Sequence, residues 1–403
     1  MPSNPTHLYV ADEASLSVLI SRLKGNPRVA IDTEADSLHH YFEKVCLIQI
    51  SIAHDHFIVD PLAGLELAPL MEALSHCILL LHGADYDLRM LRRDFRFHAV
   101  EVFDTMIAAQ LLGYEKFGLA ALVERVHGVV LNKHGQKADW SRRPLPPDLL
   151  EYARNDTVYL QTVADRLRDE LHESGRLPWH QEVCRRLLVT IDNAAGNGVD
   201  LDKQWRIKGW HSLKSRRAQA ILRELWLWRD DEAKRSDVPP FRVLGNEPLI
   251  QLSQWAMEDK SFNDLPRLPR NCLGRRLRAL KAAVVKGRNC PENELPRPLP
   301  TLRHEHVPDM EHLINALRAV RDENSKKLAI DPGVLMPTNL MTIIARNRPR
   351  DPSALRAIEE LYDWQADLLG EQIIAAVREV MNGHFPKVVT KTKSSSPANP
   401  PAA

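Results

Sequence analysis

Apolar runs separated by short polar turns mark the first third of the chain. RVAID, VCLIQISI and HFIVD follow one another between residues 28 and 60 at hairpin-like spacing, which predicts three adjacent strands. The run CILLLHG at 77–83 follows the helical stretch LELAPLMEALS and predicts a further buried strand. AVEVFD, after the helix-like YDLRMLRRDF, predicts another. Strands and helices therefore alternate as in an α/β layer fold. From about residue 104 the pattern turns helical. The segment 146–171 opens with Pro-Pro-Asp and has apolar residues at 149, 150, 153, 160, 163, 164 and 167, which predicts one long helix.

Beyond about residue 205 strand patterns stop. Laying the chain on itself at an offset of 92 brings Arg229-Asp230 onto Arg321-Asp322 and Pro240 onto Pro332, which predicts a duplicated small helical domain. A Pro-rich linker, CPENELPRPLP, separates the copies. The expected organisation is an α/β domain over 1–205, with its core at about 8–172, then helical domains at 206–292 and 300–385. The polar segment 386–403 is expected to be a disordered tail.

Composition changes this picture little: 403 residues, 44% hydrophobic and 27% charged, are ordinary for a globular protein. Five scattered cysteines show no C-x-x-C pair, and the expectation is reduced thiols in a cytoplasmic protein. With no apolar run long enough to span a bilayer and no leader-like start, no membrane partner is expected. Charge is more informative. Residues 1–205 carry 21 basic and 29 acidic side chains, 206–300 carry 20 and 11, and 301–403 carry 13 of each. A net +1 therefore conceals an acidic α/β half beside a basic middle, which suggests a nucleic-acid partner. Eight basic and no acidic residues lie between Pro266 and Pro291. Leu273, Leu277, Leu280 and Val284 recur there at helical spacing, so Arg275, Arg278 and Lys281 are candidate phosphate contacts on the outer face of an amphipathic helix.

The chemistry sits in three acidic motifs. In VAIDTEAD, Asp32 and Glu34 are two apart on a strand and share one sheet face. Paired carboxylates are costly there unless a cation neutralises them, and oxygen-only ligation suits magnesium or manganese. Asp32, Glu34, Asp36 and Glu43 also fall at positions 1, 3, 5 and 12 of an EF-hand-like loop. Ser37 in place of Gly, and strands in place of flanking helices, argue against it. The second motif, LLHGADYDL, breaks a strand at Gly83 and starts a helix with Asp85 and Asp87, where acidic residues also suit the helix dipole. In the third, LLEYARNDTVYL, Tyr152 and Asp156 lie four apart on one helix face.

In this order, across about 125 residues, the motifs resemble the DEDD superfamily of exonucleases, and Tyr152 four residues before Asp156 places the resemblance with its Tyr-type branch. VCLIQIS, FDTMIAAQLLG and KADWSRRPLPPDLLEYARNDTVYL resemble the ribonuclease D family. The two helical units look like the HRDC domains that follow its nuclease domain. The resemblance implies an RNase H-like α/β exonuclease domain followed by two all-α HRDC-like domains. It also implies a 3′–5′ exoribonuclease that releases nucleoside 5′-monophosphates, with tRNA precursors and other structured RNAs bearing free 3′ ends as partners. It assigns a metal quartet of Asp32, Glu34, Asp87 and Asp156 holding two divalent ions, Mg2+ or Mn2+, with Asp87 preferred to Asp85 by its spacing from His82. Tyr152 would orient the attacking water, since a phenol with a pKa near 10 keeps its proton at neutral pH. His82, beside the second motif, is a candidate nucleic-acid contact for which a structural role is the first expectation, and Trp140, in a polar loop before the third, is a candidate either for base stacking or for anchoring that loop. Trp205, Trp210, Trp226 and Trp228 are expected in a helical core. The alternatives left open are a 3′–5′ exonuclease acting on DNA and a nuclease-inactive RNA-binding module.

Overall fold

The computed structural model describes residues 7–132, 135–194, 201–258, 260–298 and 309–384. The expected tail at 386–403 lies outside them. The first element, β1 (His7–Val10), is a strand that the hydrophobic pattern did not single out, and α1 (Glu13–Leu23) follows behind a capping box at Asp12. Then come β2 (Arg28–Ala35), β3 (Val45–Ile52), β4 (Asp55–Val59), α2 (Ala68–Ser75), β5 (Ile78–Leu81), α3 (Asp85–Phe95), β6 (Glu101–Asp104), α4 (Thr105–Leu111) and α5 (Leu119–His127). The sheet order is β1-β4-β3-β2-β5-β6. As the hairpin-like spacing predicts, β2, β3 and β4 are antiparallel neighbours, while β5 and β6 add parallel to β2.

Side-chain alternation divides the sheet into two faces. Val29, Ile31, Ile48 and Ile50 pack with Leu16, Leu19, Leu70, Leu74, Leu88 and Leu91 of α1, α2 and α3 in the larger core. The register pairs Asp32 with Gln49 and Glu34 with Leu47, which puts the two carboxylates on the opposite face.

That face is covered by α6 (Pro147–Val158) and α7 (Leu160–Glu173). The sequence pattern predicts one helix here. The structure breaks it at Tyr159, because α6 packs across β2, β3 and β4 whereas α7 leans on β5 and α5, and one straight rod cannot follow both surfaces. The α/β layer closes with α8 (Leu177–Ala194).

A short helix, α9 (Leu201–Gln204), leads into α10 (Arg216–Ser236), α11 (Pro240–Val243), α12 (Asn246–Trp255) and α13 (Arg275–Arg288). Their core gathers Trp205, Ile221, Leu225, Trp228, Leu249, Leu252, Leu280 and Val284, with Trp210 and Trp226 packed against it. The tryptophans are therefore core, as expected, and Trp205 belongs to this helical core. A Cβ on Gly287 would come within 2.5 Å of the Ile221 Cα, so α10 and α13 cross as closely as they do only because that residue is glycine.

The described residues fall into two compact units, one of residues up to 109 and from 116 to 298, and a second of 110–115 and 309–384. The second contains α14 (Met310–Leu328), α15 (Pro332–Leu335), α16 (Thr338–Asn347), α17 (Pro352–Arg356) and α18 (Asp363–Met381). The 92-residue repeat is visible in the elements. Pro240 and Pro332 open α11 and α15, and Asp237 and Ala329 end α10 and α14 in the left-handed conformation. Among the described residues no single helix is long and apolar enough to cross a membrane.

Candidate active site

The three acidic motifs meet at the carboxyl ends of β2 and β5. Asp32 and Glu34 come from β2 and Asp156 from the third turn of α6, and one carboxylate oxygen from each lies within 4.8 Å of the others. Helix α6 is held in register by the Thr157 hydroxyl, which meets the Ser51 hydroxyl at 2.7 Å on β3, and Ser51 also meets His56 Nδ1 at 2.8 Å. Both groups are buried, so this polar clasp fixes the rotation of α6 and hence where Asp156 points.

Asp87 arrives from the opposite layer. It sits in the first turn of α3, is 7% exposed, and accepts hydrogen bonds from the Thr33 amide at 3.2 Å and from the Thr33 hydroxyl. Asp85 is instead exposed and accepts from Arg89 Nε at 2.9 Å. The spacing argument for Asp87 over Asp85 thus agrees with the geometry.

Two supports were missed by sequence reasoning: Thr33 itself and Asp104. Asp104 is 1% exposed and accepts from the amides of Gly83 (3.0 Å), Ala84 (2.8 Å), Met106 (2.8 Å) and Ile107 (3.2 Å). It ties the β5–α3 turn to the start of α4. Gly83, with φ of +77°, makes the left-handed bend into α3 that a side chain would strain. A buried Asp followed by Thr at a strand end was the available signal, but it cannot be distinguished from an ordinary helix cap without the fold.

Electrostatics follow from crowding acids in a desolvated place. Burial, then the neighbouring Asp156 and Asp87, push Glu34 up to about 9. Burial, then Asp87, raise Asp156 to about 7. Burial raises Asp87 to about 6 against the opposing Thr33 hydrogen bonds. Asp32 is also raised, by burial and then by Asp87, Asp156 and Glu34. Without a cation the cluster holds protons at neutral pH. An oxygen-only donor set with three carboxylate oxygens this close fits a hard divalent cation, which would take the place of those protons. Opposite Asp32, the amide of Gln49 is fully buried and neither of its polar atoms has a hydrogen-bond partner among the described residues.

Tyr152 lies on α6 one turn before Asp156. Burial and the charges of Asp156, Glu34 and Asp32 push its phenol further above its ordinary value, so it keeps its proton and can only donate or accept hydrogen bonds. Its ring is packed by Gly135, where a Cβ would come within 2.3 Å of it, and by Trp140, whose ring centre is 5.9 Å away.

Trp140 itself is 1% exposed in a small core with Cys46, Leu47, Leu145 and Ala153. Of its two readings this removes base stacking as a nucleic-acid contact and leaves loop anchoring. A side chain that supports Tyr152 from beneath cannot stack on RNA. The surrounding loop is pinned by Arg143, which donates to Asp60 at 2.6 Å and to the Cys46 and Trp140 carbonyls.

His82 is likewise held inward, its Nδ1 meeting the Thr105 hydroxyl at 3.0 Å, and burial lowers its pKa. It supports the fold rather than offering a contact to RNA. On α13 the picture is mixed. Arg275 does not stand free, because it and Arg276 and Arg235 all pair with Glu232, which is 1% exposed. Lys281 lies over the Phe262 ring at 5.3 Å, and Arg278 is exposed. Of the six basic residues on α13, Arg275, Arg276, Lys286 and Arg288 bond to groups of the same domain, so most of the basic face serves the domain's own cohesion.

A six-stranded sheet that gathers acidic residues from a strand, a strand–helix turn and a late helix defines a 3′–5′ exonuclease domain. Residues 8–172 match the family model described as 3′-5′ exonuclease, and residues 218–260 and 310–377 match the HRDC domain. The chain belongs to the ribonuclease D family of 3′–5′ exoribonucleases, which use divalent metal.

It is 30% identical to Ribonuclease D of Zymomonas mobilis over 383 residues, 91% of this chain and 88% of that protein. It is 27% identical to Ribonuclease D of Granulibacter bethesdensis over 378 residues, 92% of each. The crystal structure of Escherichia coli RNase D shares the fold, with a TM-score of 0.70 at 24% identity over 93% of this chain and 99% of that one. The catalytic core of RRP6 from Trypanosoma brucei matches 71% of this chain and 81% of its own at a TM-score of 0.59 and 27% identity.

Proposed function

We propose that this protein removes nucleotides one at a time from the 3′ end of RNA, releasing nucleoside 5′-monophosphates, with Asp32, Glu34, Asp87 and Asp156 as the ligands of two divalent ions, Mg2+ or Mn2+. The observation that carries the reading is the meeting of Asp32, Glu34 and Asp156 oxygens within 4.8 Å in a place where they hold protons unless a cation replaces them. When bound, such ions lower the pKa of an attacking water and neutralise charge on the phosphate and the leaving oxygen. The residues do the rest. Asp32 and Glu34 are fixed by the β2–β3 register and Asp156 by the Thr157–Ser51 clasp. Asp87 is held on Thr33, outside the trio, and would be a ligand of the second ion. Tyr152, fully protonated and buttressed by Trp140 and Gly135, holds the attacking water by a hydrogen bond and does not take its proton.

Escherichia coli RNase D is an exoribonuclease involved in structured RNA processing. Trimming of tRNA precursors and other small structured RNAs is the corresponding role we propose for this chain. The basic region at 206–300 supports it as a holder of the RNA body, through the exposed Arg278 and through Lys281.

The test is incubation with matched RNA and DNA oligonucleotides, with Mg2+, Mn2+ or chelator, and with Asp156→Asn as the blank. Metal-dependent shortening of RNA from its 3′ end, absent in the variant, is the expected result. Preference for DNA would overturn the substrate. Salt-sensitive RNA binding without cleavage would overturn the activity.

A further inference from the structure

We propose that Phe42, together with Lys234 of the first helical domain, forms a stacking platform for one base of the RNA strand upstream of the scissile 3′ end. The proposal rests on the RNA reading above and adds a subsite to it. The loop 36–44 joins catalytic strand β2 to β3, with Ala35 paired to Val45 at its base. Its neck is closed by buried Asp36, which accepts from the Lys44 amide at 2.9 Å and pairs with the Lys44 ammonium. The Asp36 carbonyl takes the amides of His39 and His40.

The loop is then tied on two sides. Toward the nuclease core, His40 Nε2 meets the Ser141 hydroxyl at 2.9 Å and His39 Nε2 meets the Lys137 carbonyl at 3.1 Å. Toward the helical domain, the Tyr41 hydroxyl donates to Asp230 at 2.8 Å and the Tyr41 amide to Asp237 at 3.1 Å. His40 Nδ1 meets Asp237 at 2.7 Å, and Arg242 reaches His39 at 3.2 Å.

Two large apolar side chains of this fixed loop face solvent, Leu38 at 40% exposure and, more fully, Phe42. Phe42 is 62% exposed. A single exposed phenylalanine on a surface is ordinary in general, and a mobile loop could tuck it away. This one is held by a loop with polar anchors on both flanks, eight residues beyond Glu34, and the Lys234 ammonium lies 5.7 Å from its ring centre.

Of the acidic neighbours, Asp230 is taken by Tyr41, Asp237 by His40 and Glu43 by Arg93, while Asp231 stands exposed one turn before Lys234, which makes no ion pair among the described residues. Two more exposed aromatic side chains border the same loop. Tyr86, next to Asp87, contacts Glu43 at 3.4 Å, and Phe241 neighbours Arg242. An aromatic face for a base beside a cation for a phosphate is how sequence-indifferent single-strand sites are built. The chemistry on either side of this one is a nuclease site and a basic domain. A nucleobase of the substrate strand is therefore the occupant that fits, and the two domains would hold the strand jointly.

The experiment compares full-length wild type, Phe42→Ala, Phe42→Trp and Lys234→Gln on RNAs from a dinucleotide to a 12-mer, and on 12-mers carrying one abasic residue at successive positions from the 3′ end. For Phe42→Ala we expect KM on the longer RNAs to rise roughly 5- to 100-fold, the range for losing one base–aromatic stack. The dinucleotide should be unaffected, and Phe42→Trp should retain wild-type values. In wild type one abasic position should reproduce the loss, and Phe42→Ala should be indifferent to that position. Lys234→Gln should weaken the salt dependence of KM. Equal KM for wild type and Phe42→Ala at every length, or an equal loss on the dinucleotide, would overturn the platform. A wild type that degrades no RNA at all would instead remove the RNA reading, and the platform with it. Matching thermal transitions of the variants, expected for an exposed side chain, exclude unfolding as the cause.

Discussion

Replacing Glu34 by Gln should stabilise the metal-free protein, and should do so only above acidic pH. Glu34 ionises at about 9 in the folded state against 4.5 for a free glutamate, because it is buried among Asp156 and Asp87. The folded state therefore binds the proton more tightly than the unfolded chain does. Stability contributed by the protonated form is complete below about pH 4.5 and is lost progressively as pH rises toward 9. At 1.36 kcal/mol per pKa unit, the loss reaches about 5 kcal/mol by pH 8 as an upper bound. Local relaxation and entry of water reduce this to an expected gain of about 2–4 kcal/mol for the neutral glutamine.

The chain has several domains and will not unfold in one step, so the measurement is the midpoint of the nuclease-domain transition by calorimetry in chelator. For a domain of this size the gain corresponds to an upward shift of roughly 5–15 °C at pH 8. At pH 5 the shift should nearly vanish. Adding divalent metal should reverse the order, because wild type binds the ion and Glu34→Gln cannot do so as well. Asp156→Asn should give a smaller gain and Asp87→Asn the least, following their values of about 7 and about 6 and the Thr33 bonds that Asp87 loses. A destabilised Glu34→Gln at pH 8, or an equal shift at pH 5 and pH 8, would refute the electrostatic account of the cluster.

Further tests follow from other parts of the structure. Tyr152→Phe should lower kcat about 10- to 100-fold in single-turnover assays while leaving metal affinity by calorimetry unchanged, since only a positioning hydrogen bond is removed. Undiminished turnover would exclude that role. Trp140→Ala should destabilise the nuclease domain by about 3–5 kcal/mol. Trp140→Phe should retain RNA affinity in a filter-binding assay, because the ring supports Tyr152 and meets no base. Glu232→Gln leaves Arg235, Arg275 and Arg276 without their shared anion and should cost the first helical domain about 2–4 kcal/mol, read as a lowered denaturation midpoint. Its rate on a dinucleotide should match wild type.

The strand run from Arg28 to Val59 was legible because period two is a local property, and it placed Asp32 and Glu34 on one face before any contact was known. Which helices cover that face was not legible. That α6 stops at Val158 depends on two different packing surfaces, and nothing in the residues 146–171 records them. Trp140 shows the same limit. A tryptophan in a polar segment has the same local signature whether it faces solvent or fills a gap beneath Tyr152. The basic helix shows it for charge, since composition counts Arg275 and Arg278 alike, both are exposed, and only the position of Glu232 on α10 pairs the first of them.

The sequence by itself determined the element types, the duplicated helical unit and the identity and order of the acidic motifs, because periodicity, turn residues and short spacings act over a few residues. The tertiary structure alone decided that carboxylates more than 120 residues apart meet within 4.8 Å. It also decided that Thr33 holds Asp87 and Asp104 the turn that leads to it, and that loop 36–44 is tied to a second domain. Those outcomes depend on which surfaces become buried together. Burial is a property of the whole folded chain, and it sets both the distances between the carboxylates and the pKa shifts that prepare them for a cation.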